Sequence, residues 1–413
     1  MRFVESAEQW RRSRRGAHLL RILRLLWEQG TLGRNALGPL LGVTKVAISN
    51  LTAELIAAGV CEENGPSGKQ GRKPVPLVLN KDAFHSIGIA FRGEIIDVAL
   101  IDAQCGVVTT SNIPRFDQPW ESIGPKVIQE IERLLQESHV LVDNMVGLGL
   151  TLPGILLPEE GIAVSSTSLW HEKNVNLFEL FSRQLGLKCH MMNVSHLYAL
   201  TEKRWGVARE MDNFLYLCEG FGLGMWLNGK LYQGQQSRAG EAGYMKVRDG
   251  GAVASDGRSG TLYGTATFYN IVDTIEHVMR QGGSTIAGSY IDPIRKRLLI
   301  CGLAQAIKDG DRLCAQLMAE TFDVIGEALI NIAYLFNPQA IFLPTWTVDC
   351  PEVSVDVIKR KMGHYGAYDW GMRIEITSAK TGDDDLARGA ALLPVDAVLA
   401  EPSLGQTARS GKS

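Results

Sequence analysis

Apolar positions in the first eighty residues follow a helical period. Over residues 17–29, Leu19, Leu20, Ile22, Leu23, Leu26 and Trp27 recur at spacings of three and four, and Gly30 supplies a stop, which predicts a first helix. A second, short helix is predicted over 35–41, where Ala36, Leu37, Leu40 and Leu41 form an apolar face before Gly42 turns the chain. Thr44 is placed to cap a third helix over 45–58, with Ile48, Leu51, Leu55 and Ile56 inward and Lys45, Ala47, Ser49, Asn50 and Thr52 on its other faces. Three short helices with a glycine turn between the last two match helix-turn-helix geometry, in which the start of the last helix enters the major groove of DNA. Thr44, Lys45, Ala47, Ser49 and Asn50 are therefore the candidate DNA contacts.

After Gly59 the period changes to two. Cys61-Glu62-Glu63-Asn64 and Val75-Pro76-Leu77-Val78-Leu79-Asn80 flank a Gly-rich loop carrying Lys69, Arg72 and Lys73, which predicts a two-stranded wing with a basic tip suited to phosphate or minor-groove contact. An arginine run, Arg11, Arg12, Arg14 and Arg15, precedes the first helix, either as a solvated arm or as phosphate contacts. From about Ser86 the pattern is α/β: strands over 87–91, 94–101 and 107–109, a helix over 124–137, and a buried strand over 145–151. Residues 214–218, the Gly-rich 219–224 and 225–231 repeat the strand-turn-strand theme, which predicts a duplicated two-lobe architecture.

Charge sharpens this division. Residues 1–80 carry 12 Lys/Arg against 6 Asp/Glu, a net +6, whereas the remaining 333 carry 30 against 39, a net −9. A basic N-terminal module on an acidic body points to nucleic acid as the partner of that module. At 413 residues the chain exceeds a single core. The expected division is 1–80 winged helix-turn-helix, 81–400 effector and oligomerisation domain in two lobes, and 401–413 a disordered tail. No apolar run reaches the length of a membrane span and the first residues do not read as a secretory signal, so a cytoplasmic location without membrane association is expected. The seven cysteines are scattered with no Cys-x-x-Cys pair, which favours buried thiols over ligands.

The chain resembles the ROK family of repressors, open reading frames and sugar kinases, in its DNA-binding branch. The resemblance rests on Gly71-Arg72-Lys73-Pro74 closing the wing, Gly147-Leu148-Gly149-Leu150-Thr151-Leu152-Pro153-Gly154, Gly222-Leu223-Gly224 through Asn228-Gly229, and Ala239-Gly240-Glu241-Ala242-Gly243. Phe336-Asn337-Pro338 and Ala387-Arg388-Gly389-Ala390-Ala391 fit its closing strand and helix. It implies an actin-like, ribonuclease-H-like pair of lobes with a cleft between them, following the winged helix-turn-helix.

The resemblance also shows what has been lost. Where family kinases carry Asp-x-Gly-Gly-Thr for the nucleotide phosphates, this chain has Gly88-Ile89-Ala90-Phe91-Arg92-Gly93; where they carry the base in Asn-Asp-x-Asn, it has Asn193-Val194-Ser195-His196. Loss of a general base alone typically lowers a rate by ~10²–10⁴-fold. Leu343-Pro344-Thr345-Trp346 replaces the glycines that face adenosine, Tyr244 replaces the zinc-binding His, and residues 254–261 replace the Cys loop. No catalytic residue, no zinc and no cofactor are expected. Asn193 and Glu241 survive from the family's sugar contacts, Thr167 or Ser168 stands near the usual Asn, and Tyr244 and Tyr263 stand near the usual His and Glu. Trp170, His171, His196 and Tyr244 are further candidates for stacking or hydrogen bonding in an effector site. The expected function is a transcriptional regulator, a repressor of carbohydrate-metabolism genes, binding an inverted-repeat operator as a homodimer or homotetramer and answering to a sugar-like effector. The alternatives are a sugar kinase with an accessory DNA-binding domain, and a regulator controlled by a protein partner.

Overall fold

A computed structural model describes residues 3–65, 75–115, 118–166, 173–250, 257–293, 297–364 and 373–400. The chain divides into two compact units, Met1–Asn193 with Asp384–Ser413, and Val194–Asp383.

The first unit opens with helix α1 (Phe3–Trp10), which the hydrophobic pattern did not predict, and α2 (Arg14–Gln29), three residues longer at its start than the periodic stretch. Ser13 caps α2 by accepting the Gly16 N–H, at 3.0 Å, and the Gly30 N–H closes it on the Leu26 carbonyl. Strand β1 (Leu32–Gly33) leads into α3 (Arg34–Leu41) and α4 (Lys45–Ala57). Gly42 adopts the left-handed conformation that ends α3, Thr44 caps α4 through the Ala47 N–H, and the two helices turn through 112°. That bend is the helix-turn-helix crossing. Strands β2 (Cys61–Glu63) and β3 (Pro76–Leu79) pair antiparallel, Cys61 opposite Leu79, and β1 adds to the other side of β3, giving the wing three strands. The wing tip with Lys69, Arg72 and Lys73 lies outside the described residues.

Strands β4 (His85–Arg92), β5 (Ile95–Asp102) and β6 (Val107–Pro114) form an antiparallel meander. Helix α5 (Trp120–Glu137) follows, then β7 (Met145–Leu152), which pairs parallel with β4. A small sheet of β8 (Ile155–Leu157), β9 (Ile162–Ser165) and β10 (Lys173–Asn176), helix α6 (Leu177–Leu185) and β11 (Cys189–Asn193), parallel to β7, complete the order β11-β7-β4-β5-β6. Ile87, Ile89, Leu148 and Leu150 are fully buried in this unit's core with Ile123, Val127 and Ile131 of α5.

The second unit repeats the plan. Helix α7 (Val194–Trp205) precedes the meander β12 (Phe214–Leu217), β13 (Leu223–Leu227) and β14 (Lys230–Leu231). Helices α8 (Leu262–Ala266) and α9 (Phe268–Arg280), the short pair β15 (Ile291–Asp292) and β16 (Arg297–Leu298), α10 (Ile300–Lys308) and the long α11 (Arg312–Phe336) come next. Strand β17 (Ala340–Leu343) pairs parallel with β12, and after α12 (Val355–His364) strand β18 (Glu375–Ser378) pairs parallel with β17. The order β14-β13-β12-β17-β18, read from its β18 edge, repeats the first sheet's order, so the predicted duplication is present as two ribonuclease-H-like sheets.

Helices α13 (Leu386–Ala390) and α14 (Leu392–Leu399) return to the first unit and lie on its sheet. A Cβ on Gly149 would sit 1.8 Å from the Ala390 carbonyl oxygen, so only glycine admits α13 this close to the strand. Helix α14 also seats the N-terminal helices: the Trp27 indole N–H donates to Asp396 at 2.7 Å, and Arg11 donates to the carbonyls of Ala397 and Val398. No single described helix is long and apolar enough to cross a membrane.

Candidate nucleic-acid interface and effector residues

Helix α4 turns Ile48, Leu51 and Leu55 into the core of the N-terminal module and leaves Lys45, Ser49 and Asn50 exposed, with Ala47 half-buried. Lys45 and Asn50 make no side-chain hydrogen bond among the described residues, so the ammonium and both ends of the amide face solvent. Ser49 donates its hydroxyl to the Lys45 carbonyl at 3.0 Å and presents lone pairs outward. Thr44 is exposed, but its oxygen is engaged as the cap of α4. Thr52, read from the sequence as available on an outer face, is instead buried, where it accepts the Arg34 Nε–H at 3.0 Å. Helical spacing alone misassigned it because Arg34 comes from the neighbouring helix.

The arginine run is likewise drawn inward in part. Arg11 caps α14; Arg12, Arg14 and Arg15 are exposed, and Arg15 pairs at the surface with Glu54 of α4 at 2.6 Å. Sequence reasoning missed Val46, the second residue of α4, which is 71% exposed between Lys45 and Ala47. The signal was present in the sequence, since Val46 stands outside the inward stripe.

Of the candidate effector residues, Asn193 ends β11 half-buried and donates its amide to the Gly154 carbonyl at 2.9 Å, which orients its own carbonyl oxygen. In the second unit, Glu241 and Tyr244 lie on the loop after β14. Gly240 is seated against β13 so closely that a Cβ would stand 2.0 Å from the Leu223 carbonyl oxygen. Burial raises the Glu241 carboxyl above its ordinary value, partly offset by Arg238. Tyr244 is 44% exposed, and the Arg258 guanidinium lies over its ring at 4.5 Å. His196, predicted among the effector contacts, is 1% exposed. Its Nε2 stands 3.0 Å from the Ala239 carbonyl oxygen; a carbonyl only accepts, so Nε2 carries the proton and donates. Burial holds the imidazole below its usual pKa, against the raising effect of that carbonyl. His196 therefore fixes the backbone that carries Glu241. Thr167, Ser168, Trp170 and His171 lie outside the described residues.

A helix-turn-helix with a three-stranded wing followed by two ribonuclease-H-like sheets defines the class: a winged-helix module on the same chain as an actin-like, sugar-kinase-type fold. The ROK family model matches residues 86–397, and the chain belongs to the ROK family. The xylose repressor of Caldicellulosiruptor bescii is 26% identical over 371 residues, covering 87% of this chain and 91% of that protein. The DNA-binding transcriptional dual regulator NagC of Escherichia coli (strain K12) is 20% identical over 341 residues, 82% of each chain. Among solved structures, a ROK family transcriptional regulator described as a homolog of the E. coli MLC protein superposes with a TM-score of 0.76 at 21% identity, over 92% of this chain and 96% of its own. A ROK family glucokinase from Streptomyces griseus, in complex with glucose and AMPPNP, superposes with a TM-score of 0.61 at 18% identity, over 75% of this chain and 98% of its own. At these identities the superpositions show the fold.

Proposed function

We propose that this protein is a DNA-binding transcriptional regulator that represses carbohydrate-metabolism genes and answers to a sugar-like effector. The observation that carries the reading is the recognition helix α4, whose Lys45, Ser49 and Asn50 face solvent in a helix-turn-helix joined to a sugar-kinase fold. Relatives named as xylose and N-acetylglucosamine repressors, matching over four-fifths of the chain or more, support it. Asn50 and Lys45 read base edges, Thr44, Ala47 and Ser49 fit the helix start into the groove, and Lys69, Arg72 and Lys73 add affinity through the backbone. Residues 1–80 act as the DNA-binding module and 81–400 as the effector and oligomerisation domain, so that a homodimer or homotetramer matches an inverted repeat. Val194 at the family's base position and Phe91-Arg92-Gly93 at its phosphate loop remove phosphoryl transfer from the repertoire. Thr167, Ser168, Asn193, Glu241 and Tyr244 contact the effector, with His196 holding the loop that presents Glu241.

The test is footprinting of the purified protein on the intergenic DNA flanking its own gene, alone and with xylose, glucose or N-acetylglucosamine. A protected inverted repeat that one of these sugars weakens is expected. Protection of no sequence would contradict the regulator reading, and protection indifferent to every sugar would contradict its effector half.

A further inference from the structure

The outward stripe of α4 is unusual in what it lacks. Val46, Asn50, Ala53 and Ala57 are spaced by four, three and four residues, which places them on one face, and all four are exposed. None is charged. The helix's one acid, Glu54, is paired with Arg15 at 2.6 Å. Val46, the second residue of α4, is 71% exposed at the start of the helix, the part that a helix-turn-helix inserts into the groove. A surface that accepts such a stripe must allow close backbone approach and must offer an apolar point beside hydrogen-bonding edges. The major groove of DNA offers one apolar group, the C5-methyl of thymine.

We infer that Val46 is a specificity-determining residue that reads a thymine methyl in each operator half-site. This rests on the regulator reading above and goes beyond it by naming a base. Its neighbours suit the same partner. Lys45 and Asn50 on either side supply the cation and the bidentate amide, and the Ser49 hydroxyl proton is already given to the Lys45 carbonyl, so it does not compete as a donor. The module's excess of 12 basic over 6 acidic residues in positions 1–80 selects a polyanion over a second copy of this chain as the occupant of the face.

The test uses the full-length protein and duplexes of its footprinted operator in which each thymine is replaced singly by deoxyuridine. That change removes one methyl and leaves base pairing intact. Affinities are measured by fluorescence anisotropy for the wild type and for Val46→Ala, whose folding is checked by circular dichroism. One symmetric pair of positions is expected to lose about fourfold in wild-type affinity per methyl, the effect of one buried methyl group. Val46→Ala is expected to bind the thymine and uracil duplexes alike. Wild-type affinity indifferent to uracil at every position would overturn the inference, as would a Val46→Ala protein that keeps the thymine preference. Absence of selective binding to any duplex would overturn the regulator reading itself, and this assignment with it.

Discussion

Helix α4 and the loop around Glu241 both carry residues proposed to bind ligands, and they hold them in opposite ways. On α4 the outward side chains Lys45, Val46 and Asn50 are left to solvent while the fold is held by Ile48, Leu51 and Leu55 behind them. On the loop, His196 is spent on holding the Ala239 backbone, and Gly240 is wedged against the Leu223 carbonyl. A rigid element can expose its functional face at no cost to its own stability, whereas a loop must be fixed before it can present one side chain accurately. Substitutions on α4 should therefore change affinity and spare stability, and substitutions at the loop's support should do the reverse.

The largest effect belongs to the support. His196→Ala removes a buried ring and leaves the Ala239 carbonyl without its donor, so a loss of about 2–4 kcal/mol is expected in urea unfolding. At temperatures where the variant stays folded, its operator affinity without effector should match the wild type; a loss under about 0.5 kcal/mol would break the contrast. Next comes Asn50→Ala, expected to weaken operator binding by about ten- to a hundredfold, the equivalent of ~1–3 kcal/mol, with its melting temperature unchanged. A comparable fall in melting temperature would mean that Asn50 supports the fold. Thr44→Ala, which removes the cap of α4, sits between the two classes and should cost about 1 kcal/mol of stability, with a smaller loss of affinity as the helix start frays. A fully stable variant would show that the cap contributes nothing.

The smallest effect is one of pH. Burial holds His85, His190 and His196 below the ordinary histidine value of about 6.5, so in the folded protein they stay neutral where the unfolded chain is already protonated. The unfolded state then binds more protons, and stability falls as pH drops below about 6.5 toward the lowered folded values. Melting curves between pH 7.5 and 5.5 should show this decline, shallower in His196→Gln. An identical slope in the variant would remove His196 from the account.

The N-terminal helices were legible because their signals are local: the three-and-four spacing of Leu19 to Trp27, the stops at Gly30 and Gly42, and the cap at Thr44. The two sheets were legible as a repeated strand-turn-strand theme. Helix α1 was not, because its face is only Phe3, Ser6 and Ala7, and Phe3 is secured by stacking on the distant Phe84, ring centroids 4.3 Å apart. The fates of Arg11, Thr52 and His196 were hidden for the same reason. Each is decided by a partner on another element, the carbonyls of α14, Arg34 and the Ala239 carbonyl, which no periodicity reveals. Val46 could have been read as exposed, but an exposed valine gains meaning only once α4 is seen at a 112° crossing from α3.

The central claim is that the open face of α4 reads DNA sequence. The most direct measurement is the affinity of wild type, Asn50→Ala and Lys45→Ala for the footprinted operator and for a scrambled duplex of equal length, at two salt concentrations. The account predicts that Asn50→Ala narrows the gap between operator and scrambled duplex while leaving the salt dependence intact, and that wild-type preference for the operator persists at the higher salt. Equal affinity of the wild type for both duplexes, or an Asn50→Ala protein with undiminished preference, would contradict it.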